Sequence, residues 1–159
     1  CPFVIKNYIE KSIPFYLDNI LDINFITVEK PLYVYRVHGG NFHVLPTNFA
    51  AVCMGRLSTI NYLVEHYSFW ELTGENDRDT NLQKLCFAKR YYDLALDFLA
   101  SSYENFGRVV PLEVSEVIKE TLSRAYSVLS DVDERACGGK GRKLKLRIDN
   151  LMKRVVTAS

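Results

Sequence analysis

At 159 residues, 48% of them hydrophobic, the chain is long enough for one domain with a sizeable core and too apolar for a disordered polypeptide. Its net charge of +1 points by itself neither to nucleic acid nor to an acidic partner, and no apolar run reaches transmembrane length. Four scattered cysteines (Cys1, Cys53, Cys86, Cys137) form no Cys-x-x-Cys pair, which excludes a zinc framework of the usual spacing.

The chain begins with a helical spacing at Val4, Ile5, Tyr8 and Ile9, which Pro14 interrupts. Pro14 suits the first turn of a second short helix reaching about Leu21. Phe25 to Val37 then reads as a strand, and Pro31 within it predicts an edge position or a bulge. Leu32, Val34 and Arg36 fall on one face, and Tyr33, Tyr35 and Val37 on the other. The strand ends in His38-Gly39-Gly40-Asn41, where the two glycines permit a sharp turn or a close approach. An imidazole, a guanidinium and an amide thus arrive together at a strand-to-loop junction, the kind of place that holds binding groups.

From Asn48 onward the pattern is helical. Asn48 is the expected cap of a helix to about Trp70, with Phe49, Val52, Cys53, Leu57, Ile60, Leu63, Val64 and Tyr67 at a period near 3.6. Thr73 to Asp79 is a polar gap. The next helix is predicted over Thr80–Phe106, stopped by Gly107, with Leu82, Leu85, Cys86, Ala88, Tyr92, Leu94, Ala95, Phe98 and Leu99 on its apolar side. Pro111 opens a further helix to about Arg135 through Val114, Val117, Ile118, Leu122, Ala125, Tyr126 and Leu129. Cys137 to Gly141 reads as a flexible break. A last amphipathic helix over 142–156 carries Leu144, Ile148, Leu151, Met152 and Val155 on one stripe. Cys53 and Cys86, inside apolar helical patterns, are expected to be reduced core residues, which suits a cytoplasmic protein.

Charge is unevenly distributed. Gly138 to Ser159 holds seven cations (Lys140, Arg142, Lys143, Lys145, Arg147, Lys153, Arg154) against Asp149, whereas Cys1 to Cys137 holds 13 basic and 18 acidic residues. Three partners suit such a basic amphipathic tail. It can dock on the acidic body, lie on an anionic membrane surface, or bind nucleic acid. The apolar stripe favours burial of one face in protein or bilayer over nucleic acid.

The expected fold class is therefore mainly α: a bundle-like helical region over 48–136, the basic helix over 142–156, and a helix-strand remnant over 1–47. A lone strand is not stable, so its partner strands are expected in sequence before Cys1, and the chain is read as a piece of a longer protein. The start at Cys rather than Met gives the same expectation.

The run Leu32, Tyr35-Arg36, His38 and Asn41, with Pro31 before it and Gly39-Gly40 within it, resembles the end of the catalytic domain of family 2 glycosyltransferases. There a strand reading Leu-x-x-Tyr-Arg-x-His closes a GT-A α/β domain. The close resemblance covers about Ile20 to Leu45; the helices beyond are compatible in type. It implies sugar transfer from a nucleotide-sugar to a glycan or lipid-linked acceptor, as in polysaccharide biosynthesis. It also implies a divalent metal, Mg or Mn, in the full-length parent, held by an Asp-x-Asp against the diphosphate. On that reading Arg36, His38 and Asn41 contact the nucleotide-sugar or its phosphates, and His38 completes the metal shell. Arg142, Lys143, Lys145, Arg147, Lys153 and Arg154 would then serve a membrane or a partner, at the inner membrane face if the acceptor is lipid-linked.

The sequence departs from that family's pattern at the metal site. Asp77-Arg78-Asp79 falls in a polar gap and Asp131-Val132-Asp133 closes a helix, so both read as solvated acids rather than a donor-binding motif. The chain alone is thus expected to be inactive in sugar transfer. Without the family, His38 reads first as a strand-end residue bonded to backbone, and Arg36 reads equally as a surface ion-pair partner. The competing function is a non-enzymatic helical module for protein interaction.

Overall fold

The computed structural model describes residues 45–68, 79–133 and 137–158. Among them are four helices: α1 (Pro46–His66), α2 (Thr80–Phe106), α3 (Leu112–Ser130) and α4 (Lys140–Ala158). The mainly α expectation holds. The predicted strand with Arg36, His38 and Asn41, and the elements before it, lie outside the described residues.

Each helix starts for a local reason. Leu45 precedes a proline and is extended (φ −85°, ψ 137°), and Pro46 occupies the first turn, where its missing N–H costs nothing. This corrects the expected cap: Asn48 lies inside α1, and no side chain caps that end. The helix ends at His66, short of the expected Trp70. At α2 the Asp79 carboxylate accepts from the backbone N–H groups of Asn81 (2.8 Å) and Leu82 (3.3 Å). Gly107, at φ 74°, stops it. The bounds of α2 are those its sequence predicts.

Pro111 sets the start of α3 and Glu113 places an acid in its first turn, on the favourable side of the helix dipole. This helix ends at Ser130, five residues before the expected Arg135. There the Ser130 hydroxyl donates to the Ser127 carbonyl (2.6 Å) and the Val132 N–H to the Leu129 carbonyl (3.2 Å), a tightened last turn. Gly138 and Gly139 adopt positive φ, 56° and 75°, and turn the chain into α4. The flexible break predicted over Cys137–Gly141 is thus a shorter turn, and Gly141 is a buried helical residue.

The five-residue connection between α2 and α3 sends α3 back along α2. The α3 helix packs against α1, α2 and α4, and α2 packs against all three others. A single cluster joins them, built on Cys53 and Leu57 of α1, Tyr91, Ala95 and Phe98 of α2, Ile118, Leu122 and Leu129 of α3, and Ile148 and Val155 of α4. Leu144, Ile148, Leu151 and Val155 are all nearly fully buried. Each such side chain contributes roughly 1.5–3 kcal/mol. The apolar stripe of the basic helix is therefore spent on the protein's own core.

Two aromatic expectations reverse. Tyr126, expected in the core, is 46% exposed, and Tyr91, not expected there, is 3% exposed. Cys86 is only half-buried, while Cys53 and Cys137 are core residues; all three are free thiols.

Candidate functional site

Two surface features carry polar chemistry among the described residues: an open groove between α1 and α2, and the outward face of α4.

The groove has a volume of about 330 Å³ and is lined by Arg56, Thr59 and Ile60 of α1 and Arg90, Asp93, Leu94 and Asp97 of α2. Asp93 and Asp97 share a face of α2 because they are four residues apart. Both carboxylates already have partners. Asp97 Oδ2 lies 3.3 Å from Arg56 Nη2, and Asp93 pairs with Lys89 one turn back. The Arg56 guanidinium also sits 5.3 Å from the centre of the Phe98 ring, a cation–π contact that fixes its plane. The Thr59 hydroxyl donates to the Gly55 carbonyl (3.0 Å). The groove is thus a self-compensated patch of two cations and two anions in water, where such pairs contribute ~0–1 kcal/mol each.

Two groups beside it are strongly perturbed. Burial pushes the Cys53 thiol up to about 12, against the opposing pull of Arg56, so it stays protonated and inert. Burial also pushes the Tyr91 phenol up to about 12, with Arg124 opposing and Glu65 reinforcing. The Tyr91 hydroxyl donates to Asn61 Oδ1 over 2.8 Å and ties α2 to α1. Neither group is a candidate nucleophile or base at neutral pH.

The acids closing α3 are exposed, as the sequence suggests. The Lys84 ammonium lies 3.9 Å from the Asp131 carboxylate and donates to the Asp131 carbonyl (3.4 Å), and the Asp133 N–H donates to Asn81 Oδ1 (3.0 Å). These contacts fasten the end of α3 to the start of α2. They do not assemble a metal set. Among the described residues no group of three His, Cys, Asp or Glu side chains could hold an ion. His66 is exposed, stacked on Tyr62 at 4.1 Å with Nδ1 3.0 Å from the Tyr62 carbonyl oxygen.

On α4 the burial of Leu144, Ile148, Leu151 and Val155 turns the charged residues outward. Lys140, Arg142, Lys143, Arg147, Lys153 and Arg154 are exposed and Lys145 is half-buried. Leu146, between them, is 62% exposed. The first turn holds no acid, so its cations sit at the unfavourable end of the helix dipole.

Arg36, His38 and Asn41 lie outside the described residues. At the start of α1 the Phe49 and Phe106 rings meet edge to face at 5.7 Å. Sequence reasoning missed Tyr91, Asn61 and the orphaned hydroxyls of Ser102 and Ser115, both fully buried; a small polar residue on an apolar helix face gives no signal of its own. No described helix is long and apolar enough to cross a membrane. No family model, curated protein or solved structure matches the chain.

Proposed function

We propose that this chain is the C-terminal part of a family 2 glycosyltransferase, which moves a sugar from a nucleotide-sugar to a glycan or lipid-linked acceptor on the cytoplasmic side. The observation that carries the reading is the motif of Leu32, Tyr35, Arg36, His38 and Asn41 at the end of a strand-like run. Its chemistry suits the task. The departing nucleoside diphosphate gains negative charge, and a guanidinium beside an imidazole can bind phosphate oxygens through charge-assisted hydrogen bonds. The family's divalent ion, Mg or Mn, neutralises the same charge. His38 is its one nominated ligand here, and the described residues add no further set. The chain alone is then a helical extension with one wall of a site, inactive without the donor-binding half.

The test is titration of the longer gene product with UDP in the presence of Mn²⁺. Binding is expected, and His38→Ala or Arg36→Ala is expected to weaken it at least about tenfold. A reading frame that starts at this segment, or donor affinity indifferent to both substitutions, overturns the proposal. One observation favours a second reading, the helical interaction module: α1 to α4 bury one continuous core among themselves. That reading expects every activity to survive both substitutions.

A further inference from the structure

The exposed face of α4 carries a pattern that the core does not explain. Arg142, Leu146, Asp149 and Lys153 recur at helical spacing along one row, and Lys143, Arg147 and Arg154 form the row beside it, five cations to one acid. The first row lies opposite the buried line of Leu144, Ile148, Leu151 and Val155, and the second flanks it. From Arg142 to Arg154 they extend about 18 Å. Arg142, Lys143, Arg147, Lys153 and Arg154 form no ion pair with any described residue. A stable helix gains nothing from five unpaired cations packed this closely. They repel one another, and Lys140, Arg142 and Lys143 also face the positive end of the dipole.

We propose that the outward face of α4 docks on an anionic phospholipid surface. Charge complementarity selects a polyanion, since the five cations stand on a rigid strip whose backbone is fixed by the core beneath. Leu146 selects a bilayer among polyanions. Its side chain is 62% exposed in the middle of the cations. An apolar group with Arg142 and Lys143 on the turn before it and Lys145 and Arg147 on either side gains from entering the boundary between headgroups and acyl chains, whereas a nucleic-acid backbone offers it only phosphate and sugar. No exposed aromatic side chain stands in either row to stack on a base. The contact differs from that of an ordinary amphipathic membrane helix, because the main apolar stripe faces the protein while Leu146, and Val156 near the C-terminal end, face out. It stands independently of the sugar-transfer reading.

The test is co-sedimentation of the whole chain with phosphatidylcholine vesicles, with and without phosphatidylglycerol. Binding is expected only to the vesicles containing phosphatidylglycerol, and it should fall steeply as salt rises. Each removed cation should lower partitioning about fivefold, so R142Q/K143Q/R147Q/K153Q/R154Q should lose binding altogether. Its helical circular dichroism and melting temperature should remain those of the parent. Leu146→Gln should weaken binding several-fold and leave the salt dependence unchanged. Equal binding to neutral vesicles, or a salt-insensitive interaction of the unaltered chain, overturns the proposal without recourse to any variant. Full affinity in Leu146→Gln, or displacement of the chain from vesicles by duplex DNA or RNA at equal phosphate, assigns the face to nucleic acid instead.

Discussion

The Tyr91 hydroxyl donates a 2.8 Å hydrogen bond to Asn61 Oδ1, joining the middle of α2 to the last turns of α1. Tyr91 is 3% exposed, so its phenol oxygen would have few alternatives to this partner. Tyr91→Phe keeps the ring and removes the donor, and leaves the Asn61 carboxamide oxygen short of a partner. The expected cost is ~1 kcal/mol, measured as a lower urea midpoint with an unchanged slope. Asn61→Ala should cost a similar amount, and the double variant less than the sum of the two. Strict additivity would show that the two side chains do not depend on each other.

Stability should fall on the alkaline side, and the sign follows from burial. Cys53 moves from an ordinary 9.0 up to about 12 on folding, and Tyr91 from 10.0 up to about 12. Raised values mean that the folded chain holds these protons when the unfolded chain has released them. Their contribution is complete below pH 9 and is lost as pH rises from 9 towards 12, because the unfolded state alone ionises there. Urea midpoints should therefore be flat through neutrality and drop above pH 9. In Cys53→Ala the drop should start nearer pH 10, where Tyr91 begins to matter. An identical profile in that variant would remove the thiol from the explanation.

How far the chain announces this architecture differs from element to element. The end of α2 was legible in Gly107 and its start in the polar gap before Thr80, but Asp79, read as a solvated acid, caps that start. The start of α1 was misread because Asn48 is a good cap in isolation, while Pro46 upstream already fits a first turn and forces Leu45 to be extended. Tyr91 escaped notice because a single apolar stripe describes a helix with one buried side. The α2 helix packs against three others, and its buried arc widens to include Phe87 and Tyr91. Tyr126 erred the other way: its position fits the stripe of α3, but a phenol is content at a rim with its hydroxyl in water. Of the candidate site, the basic cluster was legible as composition, and only packing shows which of its sides faces out. Arg36, His38 and Asn41 rest on their motif alone.

Asp79 should be worth a measurable share of the stability. Its carboxylate satisfies two N–H groups of α2 that have no partner within the helix. Asp79→Ala should destabilise by about 0.5–2 kcal/mol, and Asp79→Ser or Asp79→Asn by much less. Thermal melts of the three variants decide it. Equal losses in all three would point to the charge on Asp79 rather than to its cap geometry.

The inner and outer faces of α4 should respond in opposite ways. Ile148 is 1% exposed and Leu146 is 62% exposed, two residues apart on one helix. Ile148→Ala opens a cavity between α4 and its neighbours and should cost about 2–5 kcal/mol. Leu146→Ala removes no buried contact and should fall within about 0.5 kcal/mol of the parent. Chemical denaturation of both variants measures the contrast. A large loss in Leu146→Ala would mean that this face is covered in the isolated chain and is not free for a membrane.

Gly139 and Gly141 should part in sign although a single residue separates them. Gly139 turns the chain at φ 75°, where a Cβ meets no neighbour but the backbone itself is strained for any L side chain. Gly141 is helical, and a Cβ there would meet the Val132 Cγ1 at 3.9 Å, an ordinary contact. Gly141→Ala should therefore stabilise by roughly 0.5–1 kcal/mol, since alanine loses less freedom in a helix and adds a methyl to a buried seam. Gly139→Ala should destabilise by roughly 1–2 kcal/mol through its left-handed backbone. Melting temperatures should move up for the first and down for the second. A fall for Gly141→Ala would mean that α4 approaches Val132 too closely to admit a methyl, and a neutral Gly139→Ala would mean that the turn into α4 can be made at negative φ.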